Sequence, residues 1–480
     1  MNYSMIFYIL SSVLTFEGVF LLLPCIVALI YGESQGLIYL GVAAASIILG
    51  SIARLKKTEN KVFYSKEGFV TVSLSWIVIS LVGALPFYLT GEIPSYIDAV
   101  FETVSGFTTT GASILSDIEV LSKCTAFWRC FTHWIGGMGV LVLILALLPI
   151  SGSYNMHLMR AESPGPSVGK LVPKVRNTAK MLYGIYIVIT SAEIISLVLA
   201  GMPLYDSMTL SFATVGTGGF ALLNSSIASY NLSVQLIITL FMLVCSINFN
   251  VYYLIYARKF KDALHNEEMR SFLIIVLSIT VLITINIRSG FENIFAAFQT
   301  ALFQVASIIS TTGFATADFN LWPEFSKALL IFAMFVGACA GSTGGGLKVS
   351  RFVILVKAVK NEITSIIHPR CVKKVHFEGK SISDNMIKAV LSYLAAYVFI
   401  VAVSFVLISI DNFDAGTNFS AVMATFNNIG PGIGMVGPTG NYGAYSNFSK
   451  IVLVFDMLVG RLEIFPMLIL FSPRIYKKGI

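Results

Sequence analysis

Charge is the first thing this chain lacks. Asp, Glu, Lys and Arg make up 12% of its 480 residues, about half the ~25% of an ordinary soluble domain, while 56% of its residues are hydrophobic. No soluble fold of this length buries so much apolar surface, so the chain is an integral membrane protein. Paired cysteine spacing is lacking too. Cys25, Cys124, Cys130, Cys245, Cys339 and Cys371 form no CxxC, which argues against a disulfide frame or a metal cluster. No HExxH, no intramembrane nucleophile–base pair and no basic–aromatic interleaving is present. An enzyme, an organic cofactor and a nucleic-acid partner are therefore not expected. The first apolar run lacks the charged start and small-residue end of a cleaved signal and reads as a retained helix.

What is present is a series of apolar runs. Ten of them, at 5–31, 37–53, 68–90, 131–148, 181–200, 232–257, 271–287, 328–357, 389–410 and 451–471, are read as helical spans, rather than the ~10-residue alternating strands of a barrel. Between them lie shorter apolar segments at 96–107, 204–213, 295–307 and 419–426. These cannot cross ~30 Å of hydrocarbon as helices and read as re-entrant. Of the 32 Lys and Arg, 26 fall in 54–68, 150–180, 258–270, 348–388 and 474–480. Lys123, Arg129, Arg288, Lys327 and Lys450 fall on the other side, and Arg461 lies inside the last run. The asymmetry places the first group and both termini in the cytoplasm.

The predicted fold class is all-α integral membrane. Two extra transmembrane helices (1–60) precede four pseudo-symmetric helix–pore helix–helix units at 61–160, 161–265, 266–375 and 376–480, arranged around a central ion pore. Four glycines anchor the repeat: Gly111, Gly219, Gly313 and Gly430. Two residues earlier stand Thr109, Thr217, Thr311 and Asn428; six earlier, the small residues Ser105, Ala213, Ser307 and Ala424. Thirteen earlier stand Asp98, Asp206, Thr300 and Thr417, all helix-capping types. Asp98 and Asp206 could instead draw cations to the outer mouth. The glycines are 108, 94 and 117 residues apart, so a fixed local pattern rides on a variable frame.

Irregular backbone at membrane depth survives only inside protein or along a watery cavity. Glycine allows the left-handed dihedrals that turn successive carbonyls to one side. Four such loops around an axis would make rings of oxygens able to replace the hydration shell of an alkali cation. Short helices ending there would add their negative C-terminal dipoles. The predicted filter residues are Thr109, Thr110 and Gly111; Thr217, Gly218 and Gly219; Thr311, Thr312 and Gly313; and Asn428, Ile429 and Gly430. Pro431 follows the fourth set, where reduced four-fold regularity is expected.

The run at 328–357 carries Ala340, Gly341, Ser342, Thr343, Gly344, Gly345 and Gly346, a poor helix interior at roughly 1 kcal/mol per glycine relative to alanine. A break over 340–346 is predicted, lying under the filter. It serves as a gate or, alternatively, as a seam of close helix packing. It is no phosphate-binding loop, because Leu347 separates Gly346 from Lys348 and no βαβ pattern surrounds it. Arg461 lies near the middle of the last run, where an arginine costs ~2.5–3.5 kcal/mol unless it meets an interior partner. Carbonyls of 340–346, Asp456 or Glu463 are the available partners. Its role is either a positive barrier below the filter or a static anchor for the loop. His133 reads as a polar residue near the outer mouth, and Glu17 and Glu193 as protonated or paired with a neighbouring helix.

The segments VSGFTTTGAS, ATVGTGGF, SIISTTGFAT and NNIGPGIG, with HWIGGMG at 133–139, GSTGGGLKVSR at 341–351 and GRLEIFP at 460–466, resemble the Trk/Ktr/HKT superfamily of potassium transporters. The N-terminal pair of helices and the length favour its TrkH/TrkG branch. The resemblance implies K+ as the transported ion, four filter loops, an intramembrane gating loop and a pore arginine. Glycine at all four filter positions implies potassium preference. The resemblance also implies a homodimer and a TrkA-like cytoplasmic regulatory subunit with nucleotide-binding domains, in a bacterial or archaeal cytoplasmic membrane. The competing reading is an ion-coupled secondary transporter of a small solute, which inverted repeats would favour; here the four units share one orientation.

Overall fold

The structure, a computed structural model, describes residues 1–55, 64–139, 175–370 and 374–476. Cys371 and the predicted unit boundaries at 60/61 and 160/161 lie outside these residues, as does the stretch 140–148 of the fourth predicted span. Six helices among the described residues are long and apolar enough to cross a membrane: Tyr3–Tyr31, Gly36–Arg54, Ser65–Leu89, Asn177–Leu199, Glu267–Gly290 and Asp384–Asp411. Leu29, Leu199, Ile285 and Phe399 stay exposed along them, as befits a face covered by hydrocarbon. The protein is an all-α membrane protein in which two N-terminal spans are followed by four repeated units.

The first two long helices are the N-terminal pair, and each of the other four opens a unit. A pore helix follows each opening helix: Tyr96–Phe107, Leu204–Val215, Ile294–Ile309 and Ala415–Phe426. The capping prediction is corrected. Ser95, Asn293 and Asp414 accept backbone N–H groups at the starts of three pore helices, and Pro203 precedes the other. Asp98, Asp206 and Thr417 sit three residues further in. Thr300 lies mid-helix, because the third pore helix starts earlier and runs 16 residues against 12 for the rest.

The second helix of each unit departs from the ten-span expectation. Lys123–Gly137 stops at a glycine pair. Leu232–Ser246 meets Phe249–Tyr256 at a bend of 90°. Glu324–Val336 is separated from Val349–Ile367 by residues 337–348, a wider break than 340–346. Asn447–Arg461 and Phe465–Leu470 flank Glu463 and Ile464, both at positive φ. Outside the glycine-rich third unit, apolar composition hides these breaks, because hydropathy does not register backbone direction.

The breaks satisfy one another's freed backbone groups, as hydrocarbon requires. Cys339 N–H donates to Ser246 O at 3.0 Å and Phe249 N–H to Gly341 O at 3.0 Å, tying the second unit to the third. A short hairpin pairs His376–Phe377 with Lys380–Ser381. Its turn residue Glu378 accepts the Glu268 N–H at 3.1 Å.

Candidate functional site

Each pore helix ends in the same way. The N–H groups of Thr110, Gly218, Thr312 and Ile429 reach back to Ser105, Ala213, Ser307 and Ala424 at 2.8–2.9 Å. Those of Thr109, Thr217, Thr311 and Asn428 reach Gly106, Thr214, Ile308 and Thr425 at 2.9–3.2 Å. This is the paired closure of a Schellman cap, which needs a left-handed residue just beyond the helix. Thr109, Thr217, Thr311 and Asn428 take that role, with φ of 55°, 56°, 60° and 55°. Gly or Asn is usual there, and a β-branched residue is a genuine outlier. Three threonines thus hold strain of roughly 1–2 kcal/mol each. The fourth loop keeps the same cap bonds and left-handed φ despite Pro431; it is less regular where Gly430 meets loop one, a Cβ there lying 2.7 Å from Thr110 O against 1.9–2.1 Å at the other three glycines.

Two residues on, Gly111, Gly219, Gly313 and Gly430 have φ of 77–90°, and each presses on the next loop. A Cβ on Gly111 would lie 2.1 Å from Gly218 O; on Gly219, 1.9 Å from Thr312 O; on Gly313, 2.0 Å from Ile429 O; on Gly430, 2.7 Å from Thr110 O. The order one to two to three to four to one closes a ring. The four facing carbonyls occupy the same position in their loops, one residue before the glycine. A side chain at any of the four glycines would push them apart.

Below the ring, the left-handed residues meet the breaks. Arg461 donates from Nη1 to Thr109 Oγ1 at 3.2 Å and to Thr343 O at 2.8 Å, and from Nη2 to Gly136 O and Gly137 O at 2.5 and 2.8 Å. The last two carbonyls end a helix, where a cation is favoured. Of the partners expected for Arg461, the loop supplies the Thr343 carbonyl; Glu463 pairs with Arg351, and Asp456 accepts from Ser404. Gly345 N–H donates to Thr311 Oγ1 at 2.6 Å. Lys348 Nζ donates to Gly344 O within the same loop. Glu268 Oε1 accepts the N–H of Ala340 at 2.6 Å and of Ser350 at 3.1 Å, so one buried carboxylate holds both ends of the loop.

Several of these groups escape sequence reading. Glu268 looks like an ordinary first-turn acid. Lys348 and Arg351, counted among the cytoplasmic flanking charges, are buried, as is Arg129, counted on the opposite side. Arg129 Nε pairs with Glu102 Oε1 at 2.6 Å. His133 is not at a mouth but fully buried behind the ring, between Gly106 O (2.7 Å from Nδ1) and Phe220 N–H (3.2 Å from Nε2). Asp98 meets Lys450 at 2.6 Å. Among the described residues no cluster of three or more His, Cys, Asp or Glu could hold a metal ion.

The arrangement fits what known proteins show. The TrkH family, described as a cation transport protein, matches residues 39–477. The chain is 37% identical to the Trk system potassium uptake protein TrkH of Salmonella typhimurium over 97% of each chain. It is 32% identical to TrkG of Escherichia coli, covering 94% of this chain and 93% of that one. The crystal structure of the potassium transporter TrkH from Vibrio parahaemolyticus superposes with a TM-score of 0.89, at 33% identity, over 99% of this chain and 100% of that one. With four glycine-anchored loops closed into a ring above a broken third unit, and similarity along nearly its whole length, the chain belongs to the TrkH family of cation transport proteins.

Proposed function

We propose that the chain takes up potassium across the cytoplasmic membrane of a bacterium or archaeon as the membrane subunit of a Trk-type system. The observation that carries this reading is the closed ring. Four equivalent carbonyls, of Thr110, Gly218, Thr312 and Ile429, sit beside four left-handed glycines at the C-terminal ends of four pore helices. Such oxygens replace the hydration shell of a dehydrated monovalent cation, and the helix dipoles add negative potential. The residues 109–111, 217–219, 311–313 and 428–430 form the filter. The loop 340–346 and Arg461 close its inner end, since they bond to the Thr311 and Thr109 hydroxyls directly beneath the ring.

Potassium uptake and the Trk system are named for the relatives, and near-complete coverage supports carrying both over. The same likeness supports a homodimer and a TrkA-like cytoplasmic subunit with nucleotide-binding domains. Both termini face the cytoplasm in this reading, on the charge asymmetry.

The test is ion flux with purified protein in liposomes. Rb+ uptake competed by K+ but not by Na+, and altered by adding the cytoplasmic subunit, is the expected result. Uptake of a small solute without cation flux would overturn the reading in favour of a secondary transporter.

A further inference from the structure

The ring is built from four similar seams, and one differs. Counted from the residues that precede each second helix (Ser122, Asn231, Pro323, Ser446), Arg129 corresponds to Ile238, Leu330 and Leu453, and His133 to Met242, Met334 and Met457. All eight side chains are buried. Three units therefore place an aliphatic residue and a methionine where the first places an arginine and a histidine. The ring itself carries a matching exception. The residue before the anchoring glycine is Thr110, Thr312 or Ile429 in three loops but Gly218 in the second.

The two exceptions meet. A Cβ on Gly218 would lie 2.1 Å from His133 Cγ, so the imidazole occupies the space that a side chain would take. Phe220 N–H donates to Nε2, which places the ring proton on Nδ1, where it donates to Gly106 O. His133 thus joins the end of pore helix one to the outgoing limb of loop two. One turn away, Arg129 donates to Ala221 O at 3.1 Å while paired with Glu102. Glu102 in turn accepts from Ser113 Oγ and Ile114 N–H of loop one at 3.0 Å. The Arg129 guanidinium lies 3.5 Å over the Phe220 ring.

We propose that His133 and Arg129 are positioning residues that fix the spacing of filter loops one and two and so set the ion preference of the pore. The proposal rests on the potassium-transport reading. A loop with glycine at both 218 and 219 has the most backbone freedom of the four. Its carbonyls hold a fixed distance from the axis only because a rigid, doubly hydrogen-bonded ring backs them. Buried polar groups of this kind specify one arrangement when every partner is met.

The experiment compares Na+ inhibition of Rb+ uptake in liposomes for the intact protein, His133→Met, and His133→Met with Gly218→Thr. The single variant brings in the methionine of the other units but leaves Gly218 unbacked. The double variant reproduces the threonine and methionine of the third loop's seam. The Na+ concentration that halves Rb+ uptake should fall about tenfold in the single variant, the scale of one or two lost hydrogen bonds, and recover in the double. His133→Gln, which keeps a donor and an acceptor, should stay near the intact protein. An unchanged Na+ dependence in folded His133→Met, or no recovery in the double variant, overturns the proposal. Should His133→Met yield no folded protein, Glu102→Leu with Arg129→Ile decides, since unit two carries these residues at the same positions. A lowered preference supports the brace and an unchanged one overturns it. Absence of Rb+ uptake by the intact protein overturns the transport reading itself, whereas uptake with an unaltered ratio in the variants overturns the brace alone.

Discussion

The guanidinium of Arg461 donates to the hydroxyl of Thr109 at 3.2 Å, joining the end of a helix in the fourth unit to the first left-handed residue of the first loop. The same group holds Thr343 of the intramembrane loop and the last carbonyls of unit one's second helix. Three breaks thus converge on one cation immediately below the ring.

In the proposed pore, a positive charge there would oppose a passing cation. At an effective dielectric near 20, unit charges 4–8 Å apart repel by about 2–4 kcal/mol, and even half of that is worth roughly tenfold in rate. Arg461→Ala should therefore raise Rb+ uptake into liposomes by about tenfold. An unchanged rate would leave Arg461 as a static anchor.

Gly313 tests the ring wall. Its φ is 87°, and a Cβ would meet Ile429 O at 2.0 Å and Pro431 Cδ at 2.9 Å. Gly313→Ser should displace loop four from loop three and weaken discrimination against Na+, read as Na+ inhibition of Rb+ uptake. Retained discrimination would count against placing this residue in the filter.

Glu268 tests the hold on the intramembrane loop. Hydrogen bonds to a charged group are worth about 1.5–3 kcal/mol each, and Glu268 accepts two from the loop's ends. Glu268→Ala should raise basal Rb+ flux and speed amide exchange over residues 338–350. Exchange at the intact rate would show that the loop is held by other contacts.

Thr217 tests the stored strain. Its left-handed φ of 56° disfavours a β-branched residue, and its hydroxyl bonds to the adjacent Gly216 carbonyl at 2.7 Å. Thr217→Gly should relieve roughly 1–2 kcal/mol of backbone strain and raise the thermal midpoint while lowering transport, because the loop loses the hydroxyl bonded to the Gly216 carbonyl. A lowered midpoint would contradict the strain assignment.

The repeat was legible because its chemistry interrupts an oily background. Polar, glycine-bearing stretches recur in register, so the loop positions and their glycines could be read directly from the residues. The small residues Ser105, Ala213, Ser307 and Ala424 were visible as a column. Their role, offering carbonyls to the residue beyond the cap, required backbone geometry. The second-helix breaks were visible only in unit three, where five glycines crowd together. In unit two the turn falls at Ile247 and Asn248, and in unit four at Glu463 and Ile464; nothing in their composition marks a change of direction. The capping residues are not legible: Asp98, Asp206 and Thr417 lie three residues past the caps because Asp, Ser and Thr populate the whole first turn, and Thr300 lies seven past because the third pore helix starts earlier. Arg129, Lys348 and Arg351 look like flanking charges in the sequence, because a charge count does not register which basic residues find buried partners.

The central claim is that four loops hold a dehydrated monovalent cation on one axis. Its most direct test is an experimental structure determined with Rb+ or Tl+ in place of K+, located by anomalous scattering. The account predicts peaks on the axis, coordinated by the carbonyls of Thr110, Gly218, Thr312 and Ile429. An axis empty of anomalous signal, with the ions bound elsewhere, would contradict it.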